Sequence, residues 1–437
     1  MLKQKFIVIG FILLTYTTIT AAEAILPLNV RDFGAVGNGE TDNTAAFQKA
    51  LDAAAASDVQ TVFAPRGNYR FNGSLKFPAG VTLKGVWESV PSHNGIRNQG
   101  LPKPTDDGTT FLVYGNAGAE DKEAFITLDT NCTLKGVCIY YPEQKLNDVP
   151  TPYPWAVAMR GKNPAILDCE LLNPYKGIDA SRNERHLIRN ISGQPLRIGV
   201  YVDLIYDIGR IENVHFNPWW SMQRNLIQWQ RNNGEAFVFG RSDWQYVLNT
   251  FCYGYKVGYR FGQAQGGTGA CNGNFLGIGA DDCQTSLIVD QAAPFGLLIT
   301  NGEFVSINGP DPTMVRVSPT NMGVVRFSNC AFWGPCRQIA VIEGRGTVGF
   351  SDCTFVQWGN KDREGGGGKE RTDDPALKLL GGTVLIRGSE FRENKPHILL
   401  GKDVRRAVVS DNVFRGQIQI DNQSESQAIS IHGNVGD

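Results

Sequence analysis

The sequence predicts an all-β fold, a right-handed parallel β-helix, and a recurring motif is the main reason. Residues 327–332 read Phe-Ser-Asn-Cys-Ala-Phe and residues 350–355 read Phe-Ser-Asp-Cys-Thr-Phe, a step of 23 residues. Looser copies end at Phe391 and Phe414, which are again 23 residues apart. Short strand-forming runs that close with Gly, Asn or Asp and repeat every 20–25 residues or so are typical of a solenoid. The alternative is a β-sandwich or propeller in which the similarity arises by chance.

Earlier copies of the motif extend the repeat toward the N-terminus and assign side-chain directions. They lie at residues 168–171, 213–216 and 301–304. Because side chains alternate along a strand, the Cys and the last Phe should point into the coil, and the residue between them outward. The Asn or Asp should lie at a bend or begin the strand. Each turn cannot bury its apolar face alone, so stacking of turns supplies the core.

The cysteines fit this interpretation as small hydrophobic residues. The chain has nine, an odd number, so in an exported protein at least one would stay unpaired within the chain. Buried thiols and one or more disulfides remain the alternatives, and no Cys/His spacing predicts a zinc or other metal site. The thiols expected to point inward are Cys138, Cys169, Cys330 and Cys353.

The first 24 residues have the features of a secretory signal peptide. Lys3 and Lys5 precede an apolar run from Phe6 to Leu14, and small residues before Ala24 offer a cleavage site. The apolar run is too short to span a membrane. We therefore expect a secreted or periplasmic protein in which residues 25–437 form one β-helix domain.

The net charge limits the partners to expect, and the length is compatible with a single solenoid. The formal net charge is −1, which predicts no nucleic-acid partner and no attraction to an anionic membrane. No coiled-coil segment is visible, so we expect a monomer. Solenoids grow by adding turns and need no second core, which accommodates 437 residues.

The first element after the leader is one short amphipathic helix in an otherwise β chain. Asp42 is a suitable N-cap, and Phe47, Ala50, Leu51 and Ala54 lie on one helical stripe. We expect the helix to cover the open end of the solenoid, because an uncapped end exposes the core and the strand edges.

The stretch from Val30 to Phe71, which contains this helix and the strand–turn–strand at Val62–Tyr69, resembles the N-terminal module of the pectate lyase superfamily. The module would occupy about residues 28–90. Rhamnogalacturonases, polygalacturonases, β-1,3-glucanases, mannuronan epimerases and phage tailspikes share it. The resemblance implies a right-handed parallel β-helix that acts on or grips a polysaccharide, and it leaves the polysaccharide and the reaction open.

Three long excursions interrupt the repeat. Residues 82–86 and 133–137 both read Thr-Leu-Lys-Gly-Val, which indicates regular turns around the first excursion, Trp87–Asp121. The second runs from Tyr141 to Pro164, and such excursions are where binding surfaces are usually built. The third, Lys361–Asp374, contains four consecutive glycines; it is interpreted as a solvated loop, with a lid as the alternative.

The region 211–304 holds the candidate substrate-binding residues. Sugars present C–H faces that stack on aromatic rings, while carboxylate and guanidinium groups bind the hydroxyls. Half of the eight tryptophans lie between 219 and 244. The alternative is that these rings pack the interior or the loops. The candidates are Trp219, Trp220, Trp229, Arg241 and Trp244, with Asp243 beside them.

Asp281-Asp282-Cys283 resembles the Asp-Asp-Cys stretch of polygalacturonases, which implies paired aspartates that activate water or protonate the leaving oxygen. Adjacent strand residues point to opposite faces, so both could act only at a bulge or turn. The other polygalacturonase triplets, Asn-Thr-Asp, Gly-His-Gly and Arg-Ile-Lys, are absent, which puts ordinary polygalacturonase activity in doubt. Capping of turns is the alternative role.

The outward position of the motif supplies independent candidates. It is occupied by Glu170, His215 and Glu303 in the middle of the chain. A Glu and a His beside Trp-rich loops could act as general acid and base, and His215 and Glu303 are favoured. A solvated Glu and a structural His are the alternatives.

These patterns and the resemblance together favour an exported glycoside hydrolase, related to polygalacturonases, that cleaves a polysaccharide without a cofactor. Its acid and base would come from Asp243, Asp281, Asp282 and Glu303, and the reaction would invert if the pair stands about 6.5–9.5 Å apart. A polysaccharide lyase is the first alternative. Asp281 and Asp282 could then hold Ca²⁺, and Arg241 or Arg260 could pair with a uronate. A non-catalytic polysaccharide-binding β-helix is the second.

Overall fold

The protein is a right-handed parallel β-helix with three faces, which we name sheets A, B and C in the order in which each turn visits them. The structure is a computed structural model that describes residues 26–100, 103–104, 107–361 and 370–437. Except at the two ends of the coil, each turn supplies one strand to each sheet, and parallel pairs join each strand to the next turn. The predicted signal peptide lies outside the described residues.

Several strands pass from one sheet into the next. Three bend from sheet A into sheet B, Ala165–Leu171, Leu187–Gly193 and Arg210–Phe216, and two pass from sheet C into sheet A, Leu377–Arg387 and Ile398–Ser410. The other strands of sheet A are Leu28–Asn29, Thr61–Phe63, Thr82–Lys84, Thr133–Lys135, Gln245–Leu248, Cys271–Leu276, Ala292–Thr300, Val324–Ser328, Thr347–Ser351 and Ile429–His432. The other strands of sheet B are Asn38–Asp42, Gly67–Phe71, Thr109–Val113, Cys138–Tyr140, Phe251–Tyr253, Gly279–Cys283, Glu303–Ser306, Ala331–Phe332, Thr354–Phe355, Glu390–Phe391, Val413–Phe414 and Val435–Gly436. The other strands of sheet C are Leu75–Phe77, Ile126–Leu128, Trp155–Met159, Lys176–Ser181, Ile198–Asp203, Glu235–Phe239, Val257–Phe261, Thr285–Val289, Thr313–Val317, Gln338–Ile342 and Ile420–Asn422.

The remaining elements lie outside the coil. The described residues form two helices, α1 (Thr44–Ala55) and α2 (Arg224–Asn233), with short 3₁₀ helices at Val30–Phe33 and Asn94–Ile96. Gly161–Lys162 pairs with Asn183–Glu184, and Asn360–Lys361 pairs with Glu370–Arg371. In the described part of the chain, no helix is long and apolar enough to cross a membrane.

The motif forms the core as predicted. Phe332, Phe355, Phe391 and Phe414 occupy equivalent positions on successive turns of sheet B and are buried. Their rings follow one another at 5.5 Å between Phe332 and Phe355 and 4.6 Å between Phe391 and Phe414. The step of 23 residues therefore measures one turn of the coil.

A ladder of side-chain amides marks the bend between sheets A and B. Asn190 donates to Asp168 and Asn213 donates to Asn190, both at 2.7 Å, and Asn329 donates to Asn301 at 2.8 Å. These residues have a φ between +52° and +55°. Asn and Asp tolerate this left-handed backbone best after Gly, which explains the Asn or Asp that precedes the motif cysteine.

Helix α1 covers the start of the coil, as expected. Its buried residues are Phe47, Ala50, Leu51 and Ala54, the predicted stripe. The N-cap position belongs to Asn43 rather than Asp42, although the Asp42 carboxylate accepts a hydrogen bond from the Thr44 amide at 3.0 Å.

All nine cysteines are buried free thiols, so of the two predicted states the structure shows thiols. One of the predicted directions is wrong. Cys138 pairs with Glu170, an outward position, and packs in a second apolar cluster on the outer face of sheet B. The motif lacks its Asn or Asp around Cys138, and this Cys occupies the position that points outward in the complete copies.

The first two excursions are shorter than expected because each contains a strand of the coil. Thr109–Val113 adds to sheet B within the first and Trp155–Met159 adds to sheet C within the second. The four-glycine stretch of the third lies outside the described residues.

Candidate functional site

The outer face of sheet C carries a group of polar and aromatic side chains. In its middle turns, Val200 and Val202 are buried in the core, and Tyr201 between them points outward. Tyr201 pairs with Asp179 of the preceding turn, which points outward in the same way. Neighbouring turns are about 4.8 Å apart, so these two side chains are adjacent.

Asp179 is held rigidly although it lies on an outer face. Its side chain forms an ion pair with Arg160, and its other carboxylate oxygen accepts from the Ser181 amide at 3.0 Å. Nη1 of Arg160 donates to the backbone carbonyls of Met159 at 2.9 Å and Ser181 at 3.0 Å. Asp179 is 6% exposed, so a carboxylate and a guanidinium are fixed at the floor of this face.

Tyr201 and Asp203 form a hydrogen-bonded pair beside them. The Tyr201 hydroxyl donates to Oδ2 of Asp203 at 2.9 Å. The buried Asp203 carboxylate also accepts from the backbone amides of Leu204, Arg241 and Gln265 at 2.8–2.9 Å. Burial raises the pKa of Tyr201, and the hydrogen bond to Asp203 and the nearby carboxylate charges raise it further. The phenol therefore stays protonated at neutral pH, with its O–H directed toward a carboxylate and away from solvent.

An aromatic ring and a cation complete this face. The indole of Trp155 stacks on the Tyr201 ring with centroids 6.1 Å apart and planes 21° apart. Nζ of Lys176 lies 5.7 Å from the Trp155 centroid and forms an ion pair with Glu120 at 3.4 Å. We name Trp155, Lys176, Asp179, Tyr201 and Asp203 the sheet-C cluster.

The corner between sheets C and A brings together three residues named from sequence. Arg241, Asp243 and Trp244 follow the strand Glu235–Phe239, and the Arg241 amide bonds Asp203, so the corner adjoins the sheet-C cluster. The Arg241 guanidinium lies 4.2 Å over the ring of Tyr206. Tyr206 and Trp244 are each 56% exposed. Arg241 and Asp243 line a groove of about 340 Å³ that also includes Gln263, Asn272, Gln291 and Phe295.

The three other tryptophans proposed from the sequence lie away from this corner and pack against neighbouring side chains. Trp220 is 2% exposed in the second apolar cluster, so its predicted role in stacking on a sugar is wrong. Trp229 lies on α2, packs against both apolar clusters and is 5.9 Å from the Tyr175 ring. Trp219 lies against the predicted acid–base residue His215, with ring centroids 4.7 Å apart.

His215 is on the outer face of sheet B, half-buried between Trp219 and Phe251. Burial lowers its pKa, and its Nε2 has no hydrogen-bond partner among the described residues. His215 pairs with Phe251, Phe251 with Gly279 and Gly279 with Glu303. His215 and Glu303 are thus three turns, about 14 Å, apart, so the structure does not bring these two candidates together.

The paired aspartates lie on sheet B, at the bulge that their joint action would require. The register shifts between Ala280 and Cys283, and Asp282 has a φ of +55°. Asp282 is buried, forms an ion pair with Arg231 of α2 and accepts from Asn308. This carboxylate anchors helix α2, and its catalytic role stays a prediction.

Asp281 and Glu303 remain candidates. Burial raises the pKa of Asp281, and the charge of Asp282 adds to the rise. Glu303 is exposed and pairs with Gly279, two residues before Asp281 on the neighbouring strand. Asp243, at the opposite corner of the coil, does not join them.

The sheet-C cluster was missed because the sequence interpretation followed the motif of sheet B alone. A signal was present, since Ile178-Asp179-Ala180 and Val200-Tyr201-Val202-Asp203 place polar residues between apolar ones at the strand period. Aligning the third strand of each turn would have placed Asp179 and Tyr201 in one outward column.

A family model described as "Rhamnogalacturonase A/epimerase, pectate lyase-like" matches residues 28–258, which is 231 of 437 residues. Over 107 residues the chain is 56% identical to the mannuronan C5-epimerase AlgE5 of Azotobacter vinelandii, a match that covers 24% of this chain and 11% of that protein. It is 53% identical over 55 residues to alginate lyase 7 of the same organism, covering 13% of this chain and 6% of the lyase. Among solved structures, the N-terminal fragment of bacteriophage Phi29 gene product 12 superposes with a TM-score of 0.62 at 13% identity, covering 93% of this chain and 71% of that chain. That superposition shows the fold alone.

Proposed function

Because the chain belongs to the rhamnogalacturonase A/epimerase, pectate lyase-like family, we propose that it modifies an acidic polysaccharide on the outer face of sheet C. The reaction proposed is removal of the proton next to a uronate carboxylate, which leads to elimination or to epimerisation. The names of the two Azotobacter relatives describe these two outcomes on mannuronan and alginate.

The observation that carries the proposal is the Tyr201–Asp203 pair. Since the Tyr201 O–H donates to Asp203, the remaining lone pair of its oxygen is directed away from that carboxylate. Tyr201 can accept the C5 proton of a uronate while its own proton passes to Asp203. A concerted transfer leaves no free phenolate, which matters because the pKa of Tyr201 is raised.

The surrounding side chains supply binding and charge. Trp155 and Tyr201 offer an aromatic surface for a sugar ring. Arg182 is exposed on the adjacent turn, and its positive charge opposes the rise in the pKa of Tyr201. We assign Arg182 and Lys176 to the uronate carboxylate, because neutralising that carboxylate makes the neighbouring C–H bond more acidic.

The corner groove extends the proposed binding surface. Arg241, Asp243 and Trp244 lie beside Asp203 and would bind sugar units further along the polymer. Trp244 donates from Nε1 to the Tyr246 hydroxyl at 3.0 Å, which fixes its exposed ring.

A hydrolase is the second candidate, and Asp281 with Glu303 is the observation that favours it. Both lie on the outer face of sheet B on neighbouring turns, as diagonal neighbours with Asp281 at the bulge that follows Ala280. The raised pKa of Asp281 suits the acid, and an inverting pair would need its two carboxyl groups about 6.5–9.5 Å apart.

The test is a screen of the protein on mannuronan, polygalacturonate, rhamnogalacturonan and a neutral β-glucan, with and without Ca²⁺. Ultraviolet absorbance of unsaturated ends reports elimination, deuterium uptake from D₂O reports epimerisation, and reducing ends without either report hydrolysis. We expect elimination or deuterium uptake that Tyr201→Phe abolishes and Tyr253→Phe, on sheet B, leaves intact.

Each other outcome names another function. Hydrolysis that is lost in Asp281→Asn and Glu303→Gln would transfer the function to sheet B. Retention of a polymer without turnover would leave a binding protein and refute both enzyme proposals for the polymers tested.

A further inference from the structure

A second group of reactive side chains lies on the outer face of sheet B, away from both proposed sites. His93 comes from the segment 87–100, which folds over this face. Cys138 and Glu170 come from two neighbouring strands and point outward at paired positions. All three are buried, and Glu170 is 0% exposed.

The three donor atoms converge. A ring nitrogen of His93, the Sγ atom of Cys138 and a carboxylate oxygen of Glu170 all lie within 4.8 Å of one another. Nδ1 of His93 contacts Oε2 of Glu170, and the His93 amide donates to Oε1 at 2.9 Å. The Glu170 carboxylate therefore faces the imidazole of His93.

A His–Glu pair alone would suffice to hold the segment on the sheet, but two further groups do not fit that role. Cys138 places a thiol beside the pair. Thr110 precedes Cys138 by one turn in the same outward column, and its fully buried hydroxyl has no hydrogen-bond partner among the described residues. Buried hydroxyls are normally bonded, so an unpartnered one at this place needs a reason.

We propose that His93, Cys138 and Glu170 bind one Zn²⁺ ion that fastens the segment 87–100 to sheet B. Imidazole, thiolate and carboxylate are the ligands that zinc takes in proteins, and thiolate with imidazole disfavours Mg²⁺ and Ca²⁺. Three protein ligands leave a fourth position for a water molecule, which Thr110 would bond.

Charge supports zinc in this pocket. A divalent ion with one thiolate, one carboxylate and one neutral imidazole sums to zero, which removes the penalty of a buried net charge. Binding forms Zn–N, Zn–O and Zn–S bonds, and the proton of the Cys138 thiol passes to solvent. No oxidant or reductant is needed.

The site would be structural and independent of the chemistry on sheet C. Ser192 donates to the Pro91 carbonyl at 2.8 Å and Asn98 donates its amide to the Trp220 carbonyl at 3.0 Å, so the same segment is tied down on both sides of His93. The metal would reinforce a fold that these contacts already define.

The first experiment measures metal content and a spectrum on the intact chain. Protein dialysed against a chelator is titrated with zinc chloride and analysed for bound zinc, and a parallel sample takes Co²⁺. We expect one zinc per chain and, for Co²⁺, a thiolate-to-metal charge-transfer band in the near ultraviolet. Binding of less than a tenth of an equivalent, or a Co²⁺ spectrum without the thiolate band, would overturn the proposal.

Variants assign the ligands. Cys138→Ala, His93→Gln and Glu170→Gln should each weaken zinc binding by more than the roughly 10- to 100-fold that loss of a supporting partner costs. Cys271→Ser is the matched control, because Cys271 is an equally buried free thiol on sheet A. If the control loses zinc as Cys138→Ala does, the metal is not at this site.

The thermal stability of the wild type tests the proposal without any variant, so it can be measured even if the variants fold poorly. In the wild type, zinc should raise the melting temperature by several degrees in a concentration-dependent manner, because it binds the assembled site more tightly than the unfolded chain. A melting temperature that is unchanged by zinc and by chelator would contradict the proposal even if the variants cannot be purified.

Discussion

Replacing Tyr201 with Phe tests the sheet-C cluster most directly, because the change removes one oxygen and leaves the packing in place. Tyr201 is half-buried, and its ring stacks on Trp155, a contact that Phe retains. The Asp203 carboxylate loses one of its four hydrogen bonds and keeps those from the amides of Leu204, Arg241 and Gln265. A single hydrogen bond to a charged group contributes about 1.5–3 kcal/mol, and partial exposure favours the lower end.

The effect on activity should be far larger than the effect on stability. A positioned acid–base group contributes about 10²–10⁴-fold to the rate of the chemical step. We therefore expect kcat on the responsive polymer to fall by at least about 100-fold, with KM nearly unchanged because the aromatic surface remains. Initial rates from ultraviolet absorbance or deuterium uptake measure kcat, and urea unfolding measures the free energy of unfolding.

The pH dependence of stability separates this residue from a mere packing contact. The pKa of Tyr201 is raised in the folded chain above its ordinary value of 10.0. The contribution of the tyrosine is therefore complete below pH 10 and is lost as the pH rises toward the folded pKa, since the unfolded chain ionises first. Above pH 10, the wild type should lose about 1.36 kcal/mol per pH unit more than Tyr201→Phe does.

Two results would refute the reasoning. A Tyr201→Phe enzyme within threefold of the wild-type kcat would remove Tyr201 from the chemistry. An equal loss in the Tyr253→Phe control would show that the assay reports general damage and not the sheet-C cluster.

Three further predictions concern the scaffold. Arg231→Met should destabilise the fold by about 3 kcal/mol in urea unfolding, because it leaves the buried Asp282 without its cation, and unchanged stability would show the ion pair to be dispensable. Phe355→Ala should cost about 3–5 kcal/mol by creating a cavity in the ring ladder, whereas Phe295→Ala, at a 79% exposed ring, should change the free energy of unfolding by less than about 0.5 kcal/mol. Burial lowers the pKa of His186 to about 3, so the stability gained by burying the neutral ring is complete above pH 6.5 and is lost as the pH falls toward 3. His186→Gln should therefore make the free energy of unfolding less dependent on pH in this acid range. An unchanged pH profile would show that His186 does not cause the acid sensitivity.

The fold could be predicted because it repeats. A period of 23 residues, an Asn or Asp at each bend and one inward Phe per turn are consequences of stacking identical strands, and each is visible in the sequence. Directions followed from strand alternation wherever the motif was complete. At Cys138 this prediction failed, because the motif there lacks the Asn or Asp that fixes which residues point inward. A shift of one residue along a strand reverses the direction of every side chain.

The candidate site could not be predicted to the same extent, because exposure on an outer face depends on what covers it. The outward column of sheet B illustrates this. Glu170 and Glu303 occupy equivalent positions in the motif, yet Glu170 is buried beneath the segment 87–100 and Glu303 is open to solvent. Motif position assigns the face of the strand and carries no information about a loop that crosses it from elsewhere in the chain.

The same reasoning explains why the sheet-C cluster is the better candidate for chemistry than the tryptophans that first drew attention. Trp220 and Trp229 are needed to fill the space between α2, the first excursion and sheet B, where large apolar rings stabilise the packing. Sheet C holds Asp179 and Asp203 nearly buried on its outer face, which is costly for a stable fold unless each carboxylate is fully bonded. Both are fully bonded, by Arg160, by backbone amides and by Tyr201. Two preorganised carboxylates around one tyrosine are the kind of arrangement that can move a proton, which supports the proposal for sheet C over one for the tryptophans.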